Sequence, residues 1–215
     1  MTEPAYSITG GIYLVLNPAI DKGLLLAKLA NALTGGINVV QIWNNWAADA
    51  DKPELIKAIA ELCIPYNVPV LINQEWQLLT QTEYLQGVHF DAIPVDFADI
   101  KQTIGKPFLA GITCSGDLDT VRWADGNGFD YVSFCSMFQS ASAGTCSIVS
   151  PATVTMAREI TAMPLFVSGG ITPENAQSLK SETEFDGIAV ISGILSADDP
   201  EQKVKQYHNA LSINK

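Results

Sequence analysis

Met163-Pro164-Leu165-Phe166-Val167-Ser168-Gly169-Gly170-Ile171-Thr172-Pro173-Glu174-Asn175, followed by Phe185-Asp186-Gly187-Ile188-Ala189-Val190-Ile191-Ser192-Gly193-Ile194, decides how the chain folds. Each half is an apolar run that ends in serine or glycine and then opens into a helical pattern, as buried parallel strands do when they feed helices. Bare glycines allow close approach to the backbone, and helix N-termini are the positive ends of aligned peptide dipoles. Two such ends side by side suit one small anion, and phosphate is the natural guest. A tight strand-to-helix turn would also leave Ser-Gly-Gly at this place. Pairing with the second strand end favours phosphate, because sites built from the last two strand ends and a short helix recur in eight-stranded α/β barrels.

Outward from this stretch the same unit repeats. Apolar runs predict strands over 11–16, 39–43, 70–73, 87–90, 108–112 and 129–134, joining those at 165–167 and 187–191. Helical patterns fall between them: 22–33 behind the capping Asp21, one from Pro53, 76–84, 97–104, 117–127, and one each from Pro151, Pro173 and Pro200. A long Ser-, Ala- and Gly-rich loop spans 135–150. Eight strands alternating with eight helices predict a single (β/α)8 TIM barrel, with residues 1–215 as one domain.

Composition sets limits on the partners. The 215 residues are 47% apolar and 16% charged, ordinary for a chain with a substantial core. A formal net charge of −11 argues against nonspecific binding to nucleic acid or to an anionic membrane. Cys63, Cys114, Cys135 and Cys146 show no Cys-x-x-Cys spacing, and the N-terminal residues do not read as a secretory signal. Reduced thiols in a cytoplasmic protein are the expectation. With His89 and His208 the only histidines, no metal cluster is expected. Barrels of this sort often pair, which leaves a homodimer open.

A barrel sends every strand's C-terminal end to one mouth. Gln41, Trp43, Asn45, Asn73, Gln74, Glu75, His89, Thr113, Ser136 and Gly169 are therefore expected to converge. Gln41, an amide inside an apolar run, needs a partner, either a structural one or a polar heterocycle. Trp43 offers a face for ring stacking or a cap for the core. Glu75 is read as a metal ligand, a general base, or a carboxylate favoured at a helix N-terminus. His89 is an acid or base, or a neutral core histidine. Asp91 and Asp96 are placed on a surface loop. Ser140 and Ser142, in the hydroxyl-rich loop, are read as part of a lid over the ligand.

In the order of its landmarks the chain resembles the thiamine-phosphate synthase family and its thiazole-tautomerase relatives. These landmarks are Val40-Gln41, Val68-Pro69-Val70-Leu71-Ile72-Asn73, Gly87-Val88-His89, Gly111-Ile112-Thr113, Asp130-Tyr131-Val132 and the glycine-rich stretches quoted above. The resemblance implies a β/α barrel and, for synthases, joining of a pyrimidine pyrophosphate to a thiazole phosphate with Mg2+ present. By position it puts the thiazole phosphate on Gly169, Gly170, Ile191 and Ser192, the pyrimidine on Gln41, and Thr113 near the pyrophosphate.

Elsewhere the pattern departs. The family's Gln-x-Arg-x-Lys reads Gln41-Ile42-Trp43-Asn44-Asn45, and its Asn-Asp-Arg reads Asn73-Gln74-Glu75. Its second metal-site aspartate falls at about Pro94, and its Pro-Thr-x-Thr-Lys loop reads Gln139-Ser140-Ala141-Ser142-Ala143. The histidine expected of tautomerase-like members is Ser115. Removing one strong donor from a developing charge costs about 3 kcal/mol, or about a hundredfold in rate. The missing cations and altered metal positions therefore weigh against synthase turnover. The expected ligand is a phosphorylated small molecule.

Overall fold

The computed structural model describes residues 6–139 and 147–212. Its strands are β1 (Gly11–Leu16), β2 (Val39–Ile42), β3 (Val70–Asn73), β4 (Gly87–Phe90), β5 (Leu109–Thr113), β6 (Tyr131–Cys135), β7 (Leu165–Ser168) and β8 (Gly187–Val190). All pair in parallel in chain order, and β8 closes on β1 with Gly11 opposite Gly187 and Leu14 opposite Val190. The architecture is the (β/α)8 barrel that the alternation of strands and helices predicts.

Side-chain alternation explains why the strands are apolar on both faces. On β1, Ile12, Leu14 and Leu16 pack outward against the helices. Tyr13 turns inward, where it joins Val39, Leu71, Leu109, Tyr131 and Phe166 in the barrel's own core. Tyrosine in that inner layer is unusual for an apolar filling, and its hydroxyl has to find a partner.

The helices are α1 (Lys22–Thr34), α2 (Lys52–Cys63), α3 (Phe97–Ile104), α4 (Leu118–Gly126), α5 (Pro151–Ile160), α6 (Pro173–Glu182), α7 (Ser192–Leu195) and α8 (Pro200–Leu211). Side-chain caps start most of them: Asp21 accepts from Leu24 N, Asp51 from Glu54 N, Ser150 from Thr153 N and Asp199 from Gln202 N. Thr172 and Asn175 close a reciprocal capping box at α6. Each cap is worth about 1 kcal/mol, and together they fix where the chain turns back after a strand.

Two elements differ from expectation. After β3 the chain forms a short 3-10 helix, Trp76–Thr80, in place of an α-helix over 76–84. Thr80 Oγ1 donates back to the Gln77 carbonyl at 2.8 Å, and Thr82 Oγ1 accepts from Tyr84 N at 3.1 Å. These side chains offer the backbone an alternative to helical bonds. After β8 two helices follow, because Ile191 leaves the strand and α7 forms before α8. Both glycine-bearing strand ends thus lead into a helix.

At the opposite end of the barrel, Asp186 ties three strands together. Its carboxylate accepts from Leu165 N at 2.8 Å and pairs with Arg158, while its carbonyl accepts from Gly11 N at 2.9 Å. Locking β7, β8 and β1 there sets the register in which their upper ends open on the mouth. Among the described residues, no helix is long and apolar enough to cross a membrane. Cys63 and Cys114 are buried free thiols, each pushed up to about 12 by burial, so they are thiols and not thiolates at neutral pH. Cys146 lies outside the described residues.

Candidate functional site

A cavity of about 670 Å³ opens at the C-terminal ends of the strands. Gly169, Gly170, Ile191 and Ser192 form one wall, and Gln41, Trp43, Asn73, His89 and Thr113 lie on the others. Residues far apart in sequence meet because each sits at, or just past, the end of a parallel strand.

On the β7 side the backbone is held by its carbonyls. Ser168 O accepts from Met137 N at 2.8 Å, Gly169 O from Phe138 N at 3.0 Å, and Gly170 O from Asn175 Nδ2 at 2.8 Å. A trans peptide points its carbonyl and the next N–H in opposite directions. The amides of Gly169, Gly170 and Ile171 therefore point away from those partners, and all three residues line the cavity. Gly169 and Gly170 have φ of +83° and +66°. A Cβ at Gly169 would lie 1.9 Å from Ser136 Oγ, and one at Gly170 would lie 2.6 Å from the Gln139 carbonyl. Only glycine fits either place. Across from them, Ser192 and Gly193 open α7, and the first amides of a helix have no intrahelical acceptor.

Beneath the cavity runs a chain of buried polar groups. Gln41 Oε1 accepts from the Tyr13 hydroxyl at 2.5 Å, and the Tyr13 and Tyr131 hydroxyls are 2.7 Å apart. Tyr131 Oη is 2.8 Å from His89 Nδ1, and His89 Nε2 is 2.8 Å from Thr113 Oγ1. The His89 ring stacks on Tyr131 with centroids 5.7 Å apart. Burial pushes His89 down to about 4, opposed by the nearby Asp91 carboxylate, and burial raises both tyrosines. At neutral pH the imidazole is uncharged and both its nitrogens are engaged.

On the β3–β4 side, Asn73 Nδ2 donates to Asp91 Oδ1 at 2.8 Å and to the His89 carbonyl at 3.3 Å. Asn73 Oδ1 is buried with no protein partner. An orphan of that kind costs about 1–3 kcal/mol, which a donor arriving in the cavity would offset. Asp91 is exposed in the loop after β4, as expected, and also lines the cavity.

Magnesium would need oxygen ligands including carboxylates, shared with the substrate's phosphates. Where the resemblance places metal-site aspartates, the chain has the Gln74 amide and Pro94, which has no side-chain donor atom. Among the described residues no group of three or more His, Cys, Asp or Glu gathers to hold a metal. Among the described carboxylates Asp91 alone lines the cavity, and it is already engaged by Asn73. The residues present do not fit a magnesium site of the synthase kind.

Several expected mouth residues stand off the cavity. Glu75 is turned away to Lys52 Nζ at 2.6 Å and Trp46 Nε1 at 3.0 Å. Asn45 bonds Asn17 at 3.0 Å, and Ser136 donates to the Phe138 carbonyl beneath Gly169. Gln74 takes a left-handed turn with φ of +61° and does not line the cavity. Ser140 and Ser142 lie outside the described residues. Among the described residues, no lysine or arginine lines the cavity. Tyr13 and Tyr131 belong to the site although the sequence reading passed over them. A tyrosine inside an apolar strand of a closed barrel was the available signal, since its hydroxyl cannot reach water from there.

The comparisons with known proteins agree with the barrel fold. The family described as thiamine monophosphate synthase matches residues 12–194. A thiamine-phosphate synthase of Methylobacillus flagellatus is 28% identical over 208 residues, covering 97% of this chain and 98% of the relative. One from Halorhodospira halophila is 30% identical over 197 residues, covering 91% of each. A solved structure of thiamine phosphate pyrophosphorylase from Pyrococcus furiosus superposes with a TM-score of 0.78 at 20% identity, over 94% of this chain and 95% of that one, a likeness of fold. By its barrel, its glycine-rich strand ends and this match over most of its length, the chain belongs to the thiamine monophosphate synthase family.

Proposed function

We propose that the protein binds a small phosphorylated heterocycle, a thiazole phosphate or a close analogue, without turning over the family's synthase reaction at an appreciable rate. The phosphate sits between the amides of Gly169 and Gly170 and those of Ser192 and Gly193. The ring lies toward Gln41, Trp43 and Thr113. The observation that carries this is the β7 turn, whose carbonyls are all consumed by protein donors while its glycine amides border the cavity.

Synthase chemistry expels pyrophosphate, and that step requires cations where negative charge develops. The described cavity wall supplies Asp91 and neutral groups, so an incoming pyrophosphate would meet no compensating charge there. Proton transfer by His89, as an isomerase or tautomerase would use it, is disfavoured because burial lowers the imidazole to about 4, which leaves it a weak base at neutral pH. A non-catalytic binding barrel fits this charge pattern better than a transferase.

Calorimetry with thiazole phosphate, its unphosphorylated alcohol and inorganic phosphate tests the proposal. Heat from both phosphates and none from the alcohol is expected, and silence at millimolar phosphate would refute the binding reading. Pyrophosphate release from the paired substrates with Mg2+ supplied is expected to stay at background. Magnesium-dependent turnover would refute the non-catalytic reading.

A further inference from the structure

The polar groups beneath the cavity can share their protons in only two ordered ways. A neutral phenol has one proton to give, and a neutral imidazole has one N–H. Tyr13 spends its proton on Gln41 Oε1. The 2.7 Å contact between the phenols must then be donated by Tyr131, and the 2.8 Å contact at Nδ1 by His89. His89 Nε2 is left with a lone pair, so Thr113 must donate to it. Turning the Gln41 amide over would reverse every bond in the chain. Any mixed arrangement leaves one contact without a proton or strands one buried phenol O–H with no acceptor.

We infer that Tyr13 and Tyr131 are positioning residues that hold His89 as the Nδ1–H tautomer, so that Gln41 faces the ligand as a donor and Thr113 faces it only as an acceptor. The two walls thus recognise a ligand jointly. A heterocycle is accepted when it turns a ring nitrogen or carbonyl to Gln41 and an N–H or O–H to Thr113. The opposite pattern meets a lone pair with a lone pair and a proton with a proton, a buried mismatch that a polar site penalises heavily. The direction of the chain does not depend on the proposed function; the ligand pattern rests on it.

Packing supports a fixed arrangement. Tyr13 and Tyr131 are almost wholly inaccessible to solvent, so water cannot repair a broken link between them. Tyr13 and Tyr131 meet edge to face at 5.7 Å, and Phe166 packs against both at 5.5 and 5.4 Å. Gly111 leaves the space that the Tyr131 ring fills, since a Cβ there would lie 1.9 Å from the ring. Burial also keeps both phenols and the imidazole uncharged at neutral pH, which the proton count requires.

Nitrogen-15 NMR of the histidine rings tests the inference. His89 and His208 are the only histidines, so a His208→Gln background leaves one imidazole to observe. The Nδ1–H tautomer is expected, and Nε2–H or an even mixture overturns the inference. Tyr13→Phe, which does not touch His89 Nδ1, frees Tyr131 to donate to that nitrogen and is expected to move the imidazole proton to Nε2. An unchanged tautomer in Tyr13→Phe overturns it too, and the parent's tautomer decides alone if Tyr13→Phe does not fold. Inorganic phosphate should bind the tyrosine variant within about twofold of the parent; a larger loss overturns the assignment of Tyr13 to the ring pattern alone. Absence of phosphate binding in the parent counts against the proposed function and leaves the tautomer result standing.

Discussion

Lys52 Nζ lies 2.6 Å from Glu75 Oε1, and this pair clasps the segment after β2 to the segment after β3. Trp46 Nε1 donates to the other Glu75 oxygen at 3.0 Å, and Lys52 sits over the Trp46 ring at 5.1 Å. Where the resemblance places an arginine, a carboxylate instead pins a loop beside the mouth. Its change of charge is absorbed by the scaffold.

Glu75→Ala should therefore loosen the loop without emptying the site. Both partners are half-buried, so the loss of stability should be about 0–1 kcal/mol. Limited proteolysis should cut faster between β2 and α2, while phosphate affinity measured by calorimetry stays unchanged. Loss of phosphate binding would give Glu75 the ligand role that its position argues against.

His89 should make the protein acid-sensitive. Burial holds the folded imidazole at about 4, whereas the unfolded one takes up a proton near its ordinary value of about 6.5. The unfolded state binds more protons between those values, so this contribution is complete above about 6.5 and is lost as pH falls toward 4. Its full size is on the order of 3 kcal/mol. Urea unfolding at about pH 7.5 and about pH 4.5 should show a fall some 2–3 kcal/mol larger for the parent than for His89→Gln. Equal falls would mean the imidazole titrates normally.

Gly111→Ala should displace the Tyr131 ring, because the new methyl would fall within the ring's own space. Overpacking of this kind costs about 1–3 kcal/mol. The same change should perturb the resonances of the His89 ring, which belongs to Gly111's register partner on β4 and is bonded by Tyr131. Thermal unfolding and NMR read the two effects separately.

Much of the fold was legible because buried parallel strands are written as short apolar runs, and proline with a capping residue marks where each helix begins. The glycine turn after β7 was legible for a related reason: Gly169 and Gly170 hold conformations that their residue type announces. The inner polar chain was not, because which face of β1 or β6 turns inward depends on closure of the barrel. Tyr13 and Tyr131 looked like core until β1 met β8. Glu75 stands at the N-terminus of the 3-10 helix, as one reading had it, but its turn toward Trp46 and Lys52 was not legible, because a pairing with a different loop is encoded by no local pattern. The 3-10 turn after β3 replaced a helix because Thr80 and Thr82 bond to nearby backbone, a competition that apolar spacing does not register.

Gly170→Ala isolates the anion wall. The residue has φ of +66°, and its new methyl would collide with the Gln139 carbonyl, so the β7 turn must rearrange. A loss of at least about 1 kcal/mol in stability is expected, with at least about a tenfold loss of phosphate affinity. Trp43→Ala, on another wall, should weaken a ring-bearing ligand and spare inorganic phosphate.

The most direct measurement is an amide-resolved NMR titration of the intact chain with inorganic phosphate. Saturable shifts concentrated at the Gly169, Gly170, Ser192 and Gly193 amides are the predicted result. Shifts confined to other residues, or none at millimolar phosphate, would contradict it.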